Sequence, residues 1–186
     1  MEKRKYTVSL LLMLLIGAMN SYTYFMRGEV FASMHTGNLI KACFAMANGE
    51  FSSLYKYFIP IGAFMLGIIT HYFVIPAKKG TLICSLLITA SYIGGVLIPF
   101  GALDFISITV LAYGVGIQLQ LIRKVNGVDV ATTMCTGNMR SMTDLIAKLI
   151  KTRDRSYILG IVTYITMIAM FLIGVTVGAI IVFRFV

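Results

Sequence analysis

The chain has 186 residues, 59% of them hydrophobic and only 12% charged, about half the charged fraction of an ordinary soluble domain, and a mean hydropathy of +0.90 excludes a water-soluble globule. Its formal charge of +9, from 16 Lys and Arg against 7 Asp and Glu, would suggest nucleic acid in a soluble protein. Here most basic residues flank apolar runs in short connections, the positive-inside pattern of a membrane protein, so nucleic acid is not an expected partner and membrane lipids are.

The first apolar run, 7–26, follows the basic start MEKRK and has the outline of a signal peptide. No small-residue cleavage site follows it, so we read an uncleaved first helix. Residues 30–48 form a weaker run broken by His35-Thr36-Gly37-Asn38. Strong runs resume at 57–75, 81–100 and 105–122; a second broken run covers 130–150, and the last spans 156–183. The five strong runs meet or approach the roughly 20 residues that a helix needs to cross hydrocarbon. Segments such as SLLLMLLIGAM are apolar all round, which excludes the alternation of a β-barrel. The expected fold is an all-α polytopic membrane protein of about seven hydrophobic helical segments, two of them broken or re-entrant. Cys43, Cys84 and Cys135 lie in apolar runs without C-x-x-C spacing, so we expect no disulfide, no metal site and no cofactor.

The broken runs match each other. RGEVFASMHTGN at 27–38 and GVDVATTMCTGN at 127–138 share Val, Met and Thr-Gly-Asn at the same offsets, Glu29 facing Asp129 and Ser33 facing Thr133. The same offset pairs Asn20 with Gln120 in the preceding helices. We read one membrane domain, 1–186, made of repeat A at 7–75, a linking helix at 81–100 and repeat B at 105–183, a duplication typical of secondary transporters. If both broken segments cross, Lys and Arg divide eight inside (Lys3, Arg4, Lys5, Lys56, Lys148, Lys151, Arg153, Arg155) and six outside (Arg27, Lys78, Lys79, Arg123, Lys124, Arg184). If both are re-entrant the division is eleven to three, leaving Arg27, Lys56 and Arg184 outside. The charge bias favours re-entrant segments, an inverted repeat over a parallel one, and a cytoplasmic N-terminus.

Irregular backbone at membrane depth survives only where protein or a wet cavity covers it. Thr and Asn are good N-caps and helix-compatible sequence follows both trios, so each half is expected to hold a short helix starting near Thr36 or Thr136. Two such N-termini meeting near the midplane would aim free N–H groups and two dipoles at a small polar or anionic solute. The expected site is Thr36, Gly37, Asn38, Thr136, Gly137 and Asn138, with amides from Asn20 and Gln120 and a titratable His35 beside the first trio. Against it stands helix-to-helix hydrogen bonding by the same side chains, worth about 0.6–2 kcal/mol per contact.

Arg140, Asp144 and Lys148 share one helix face and are read as a solvated or self-paired face. Lys41 has no carboxylate at helical spacing, Glu29 and Asp129 sit at the segment entrances, and His71 is read as interfacial. Gly174 with Gly178, and Ala63 with Gly67, allow close helix approach, first within the chain and second in a homodimer.

An apolar first helix, a polar stretch ending F-A-S-M-x-T-G-N and a second T-G-N late in the chain resemble the YoaK-type family of small bacterial inner-membrane proteins. The likeness covers nearly the whole chain and rests on residues 17–40 and 126–140. Members of that family usually carry an aspartate in a G-x-x-D-A stretch, where Gly17-Ala18-Met19-Asn20-Ser21 has Asn20; if that aspartate is the family's proton or cation site, proton coupling through position 20 is not expected here. The family's function is unassigned, so the resemblance implies a multi-pass protein of the bacterial cytoplasmic membrane and names no substrate. The expected function is a small secondary transporter or channel-like permease; the alternative is an accessory membrane subunit or scaffold without transport. An intramembrane enzyme is not expected, since HExxH, GxSxG and paired carboxylates at catalytic spacing are missing.

Overall fold

The computed structural model of the chain describes residues 2–185. Seven α-helices follow one another: α1 (Glu2–Met26), α2 (His35–Ala47), α3 (Tyr55–Val74), α4 (Gly80–Leu97), α5 (Asp104–Leu121), α6 (Thr136–Thr152) and α7 (Ile158–Phe185). The segments carrying α1, α3, α4, α5 and α7 are each long and apolar enough to cross a membrane. The 13-residue α2 and 17-residue α6 are the two broken runs. Between α5 and α6 a two-stranded hairpin, β1 (Lys124–Val125) with β2 (Val128–Asp129), turns at Asn126-Gly127, both with positive φ. Asn-Gly is the residue pair that a type I′ turn demands, a signal the apolar periodicity had hidden.

Helices far apart in sequence pack together. α1 lies parallel to α7, the contacts advancing together from Tyr6 Oη at 2.7 Å from Thr166 Oγ1, through Ser21 Oγ donating to Val175 O at 2.7 Å, to Phe25 against Phe183. α3 lies parallel to α5 in the same way, from Tyr55 against Phe105 to Thr70 beside Tyr113. Both pairs rest on glycine contact. A Cβ on Gly17 would fall 2.2 Å from Phe171 O and one on Gly174 2.0 Å from Leu14 O; a Cβ on Gly116 would fall 2.1 Å from Phe64 O and one on Gly67 2.2 Å from Tyr113 O. Backbones this close let extensive dispersion contact replace the hydrophobic drive that lipid removes. Gly174 and Gly178 thus serve internal packing, Gly178 against Ala18.

α4 returns antiparallel on α5, with Ser107 Oγ donating to Gly95 O and Tyr92 Oη donating to Gln118 Oε1, both at 2.6 Å. α1 runs opposite to α5: its first residue, Glu2, accepts from Asn126 N just beyond the end of α5, and Arg27, just beyond its last, pairs with Asp104 at the start of α5. Consequently residues 27–54 begin and end beside the start of α5, whereas residues 122–157 begin and end beside its end. Lys3, Arg4, Lys5, Lys78, Lys79, Arg123 and Lys124 gather at that second end, the basic end of the bundle.

Arg27, expected as an exposed flanking charge, is 1% exposed. Its guanidinium donates to Tyr22 Oη, Asp104 Oδ1 and the carbonyls of Ile98 and Pro99, and lies over the Phe100 ring. Planar donors and a weakly hydrated charge suit Arg to such a cage. It ties α1 to the chain just past the end of α4 and to α5.

Candidate functional site

The extended stretches 30–34 and 130–134 lead into α2 and α6, and their tips meet. Ser33, Met34, His35, Thr36 and Gly37 from one half, and Thr133, Met134, Cys135, Thr136 and Gly137 from the other, line one half-open cavity of about 290 Å³, with Phe64 of α3 and Phe171 of α7 as further walls. Five offset-100 residue pairs thus face one another across a single space.

The helix starts differ from expectation in their capping. α2 begins at His35 and α6 at Thr136, but the N-cap positions are Met34 and Cys135, and neither end has a side-chain cap. Among the described residues no protein acceptor takes the N–H of Thr36, Gly37, Thr136 or Gly137, the orphan donors that open every helix. The cavity also holds unpartnered side chains: Thr133 Oγ1 and both ring nitrogens of His35 are buried without a hydrogen bond, Thr133 being 2% exposed. The His35 ring rests against Phe64. A buried donor or acceptor left unpaired costs about 1–3 kcal/mol. The lining holds neither a carboxylate nor a Lys or Arg side chain.

Gly37 and Gly137 sharpen this. Neither has positive φ; a Cβ at Gly137 would meet nothing within 4 Å, and one at Gly37 only the Phe31 ring at 3.4 Å. Glycine in a helix costs roughly 0.5–1 kcal/mol relative to alanine. Here neither packing nor backbone conformation requires it, and what it leaves is bare backbone lining an open space.

The asparagines do other work, a correction to their expected place among the solute ligands. Asn38 accepts from Phe31 N–H at 2.9 Å and donates to Phe31 O at 2.8 Å; Asn138 accepts from Ala131 N–H at 3.0 Å and donates to Ala131 O at 2.8 Å and Met134 O at 2.9 Å. Each imitates a neighbouring strand and satisfies a stretch that has none. Asn20 is not in the cavity lining; it donates to Ser33 Oγ and accepts from Ser33 N–H. Its partner in the other half is Gln118, which donates to Thr132 O and is fully buried, and not Gln120, which is half-buried outside the cavity. Of the expected residues, Thr36, Gly37, His35, Thr136 and Gly137 line the cavity, together with Ser33, Thr133 and Cys135; the repeat pairs Ser33 with Thr133.

Of the two readings of the charged α6 face, solvated or self-paired, the structure shows the solvated one. Arg140, Asp144 and Lys148 lie exposed on α6 with no ion pair among them in the described residues. Lys41 has the carboxylate that helical spacing did not offer: its Nζ is 3.3 Å from Glu29 Oε2 and 4.4 Å from the Tyr24 ring centre. A larger cavity of about 630 Å³ between α1, α4 and α7 is walled by apolar side chains. Its polar groups are satisfied, Tyr22 by Arg27, Thr89 by Ser85 and Tyr92 by Gln118, so it offers a polar solute no orienting group.

The chain belongs to a family described as a protein of unknown function, DUF1275, which matches residues 8–186. No curated protein and no solved structure matches it.

Proposed function

We propose that this member of the DUF1275 family is a small secondary transporter or channel-like permease for a small anion, bound where the two helix N-termini meet. The observation that carries this reading is that the free N–H groups of Thr36, Gly37, Thr136 and Gly137 belong to residues lining one cavity, which Thr133 with its unpartnered hydroxyl also lines. Four donors and two positive dipole ends with no carboxylate favour negative charge over cations. With no Lys or Arg and with Phe64, Phe171, Met34 and Met134 as walls, the site suits a weakly hydrated monoanion better than a divalent one.

The membrane arrangement follows from the same reading. Segments 27–54 and 122–157 are re-entrant, one from each side, and the halves are inverted copies. Matched contacts support this: Gly17 on Phe171 O and Gly116 on Phe64 O, Gly174 on Leu14 O and Gly67 on Tyr113 O, and Asn38 on residue 31 as Asn138 is on residue 131. Eleven Lys and Arg at the basic end put that end and the N-terminus in the cytoplasm, and the likeness to YoaK-type proteins makes the membrane a bacterial inner one. The scaffold alternative would use the polar trios as packing; unpaired donors around an open space are poor packing.

The test is thermal stabilisation of the purified protein by sodium chloride, nitrate, formate, acetate and sulfate, with glycerol as a neutral control. One or more monoanions should stabilise the wild type, and Thr133→Val should weaken that response at unchanged fold. Equal stabilisation of both proteins, or none by any monoanion, would overturn the reading; uptake of the stabilising anion into proteoliposomes then separates transport from binding alone.

A further inference from the structure

A second cavity, of about 250 Å³, adjoins the first through a shared residue, Gly137, and is lined by Arg123, Asp129, Val130, Ala131, Asn138 and Ser141. It lies toward the basic end, since Arg123 and Asp129 flank the hairpin there. One hundred residues earlier stand Thr23, Glu29, Val30, Phe31, Gly37, Asn38 and Lys41, and their space is filled. The Phe31 ring lies 3.4 Å from where a Gly37 Cβ would be, stacks on Tyr24 at 4.9 Å between ring centres, and is capped by Lys41. The Lys41 ammonium donates to Glu29 O at 2.6 Å and to Glu29 Oε2, over the Tyr24 and Phe31 rings. In the second half the short Ala131 and Ser141 replace Phe31 and Lys41, and the space stays empty.

Resting on the reading of the central cavity as a solute site, we infer that solute enters and leaves it from the basic end, past Arg123 and Gly137. Lys41, Phe31 and Tyr24 form a plug that closes the matching route at the opposite end. Arg123 and Asp129 put one exposed charge of each sign at the mouth, and the surrounding Lys3, Arg4, Lys5, Lys78, Lys79 and Lys124 of the basic end raise the local concentration of an anion. The plug is a cation held over two aromatic rings, an arrangement that gains strength where water is scarce. The two halves thus differ at the residues that decide which side the cavity faces.

Cys135, in the cavity lining, is a built-in reporter. With Cys43→Ser and Cys84→Ala removing the other thiols, a membrane-impermeant methanethiosulfonate is applied to sealed vesicles of either orientation, Thr152→Cys in a parallel sample marking the basic end. Cys135 should be modified about tenfold or more faster from the basic end, and in the Phe31→Ala/Lys41→Ser double variant the ratio should approach unity. Thr136→Cys in a chain lacking Cys135 gives a second reporter with the same expected sidedness. Faster labelling of both reporters from the opposite end, no labelling of either, or an unchanged ratio in the double variant would overturn the inference. Sided labelling without anion-dependent stabilisation would leave the route standing and remove only the anion.

Discussion

Replacing Gly137 by alanine separates a glycine kept for the fold from one kept for a ligand. Residue 137 lies in the first turn of α6 without positive φ, and the new methyl would touch nothing within 4 Å. Such a change stabilises by about 0.4–1 kcal/mol, chiefly by restricting the unfolded chain. In a chain of this length that is a rise of roughly 1–4 °C in Tm. In the bound state the same methyl crowds the N–H of residue 137, and a lost hydrogen bond to a charged group costs about 1.5–3 kcal/mol, a roughly 10- to 150-fold weaker Kd at 1.4 kcal/mol per decade. SDS-titrated unfolding without solute and isothermal titration with the stabilising anion measure the two effects. Greater stability with weaker binding is expected. Greater stability with unchanged Kd would refute the ligand account of the glycine, and lower stability would refute the account of its surroundings.

The contrasting glycines should behave oppositely: Gly17→Ala and Gly116→Ala drive a methyl to within 2.2 and 2.1 Å of a neighbouring carbonyl oxygen and should destabilise by about 1–3 kcal/mol or more, read by the same SDS titration. Asn38→Leu strands the N–H and carbonyl of Phe31 and should cost about 2–5 kcal/mol, so lost anion binding in this variant would accompany lost stability. Gln118→Ala should cost about 1–3 kcal/mol in unfolding free energy, whereas Gln120→Ala should stay within about 0.5 kcal/mol; the reverse order would restore the uniform offset of one hundred. Arg27→Ala leaves Asp104, Tyr22 and the carbonyls of Ile98 and Pro99 without their donor and should cost about 3–5 kcal/mol, with Arg27→Lys recovering only part.

The parts of this molecule legible in the sequence are those set by composition and by repetition. Long apolar runs mark the five long helices because nothing else can lie in hydrocarbon, and the doubled Thr-Gly-Asn marks the meeting point because two copies imply two matched positions. What a polar side chain bonds to was not legible. Asn38 reads as a ligand or a cap from its type, and its strand-mimicking bond to residue 31 exists only once the backbone before it is extended. Gln118 replaces Gln120 because the second half departs from a uniform offset around the hairpin, whereas Asn38 and Asn138 keep it. A cue for the last helices was present: Phe64-x-x-Gly67 and Phe171-x-x-Gly174 share a pattern 107 residues apart, the slip that the basic linker between α6 and α7 introduces. Arg27 was hidden because burial of a cation depends on partners from α4 and α5 that no local window contains.

If two identical inverted halves met at a central cavity, the conformations open to either side would be related by symmetry and equal in energy. Sidedness then has to come from residues at which the halves have diverged, and few of those divergences lie on the route to the cavity. Phe31 against Ala131 and Lys41 against Ser141 are the pairs that change the volume there, and Lys41 adds an ion pair with Glu29 that Ser141 cannot make with Asp129. An aromatic stack of about 0.5–1.5 kcal/mol and a cation over aromatic rings worth about 0.5–2 kcal/mol together bias such an equilibrium by roughly one to two decades. That is enough to hold the cavity open toward the basic end, and small enough for a bound anion to reverse by binding the two states unequally. On the proposed transport reading, the residues that break the repeat's symmetry are those that set direction, and the residues that keep it, the paired threonines and glycines, are those that hold the solute.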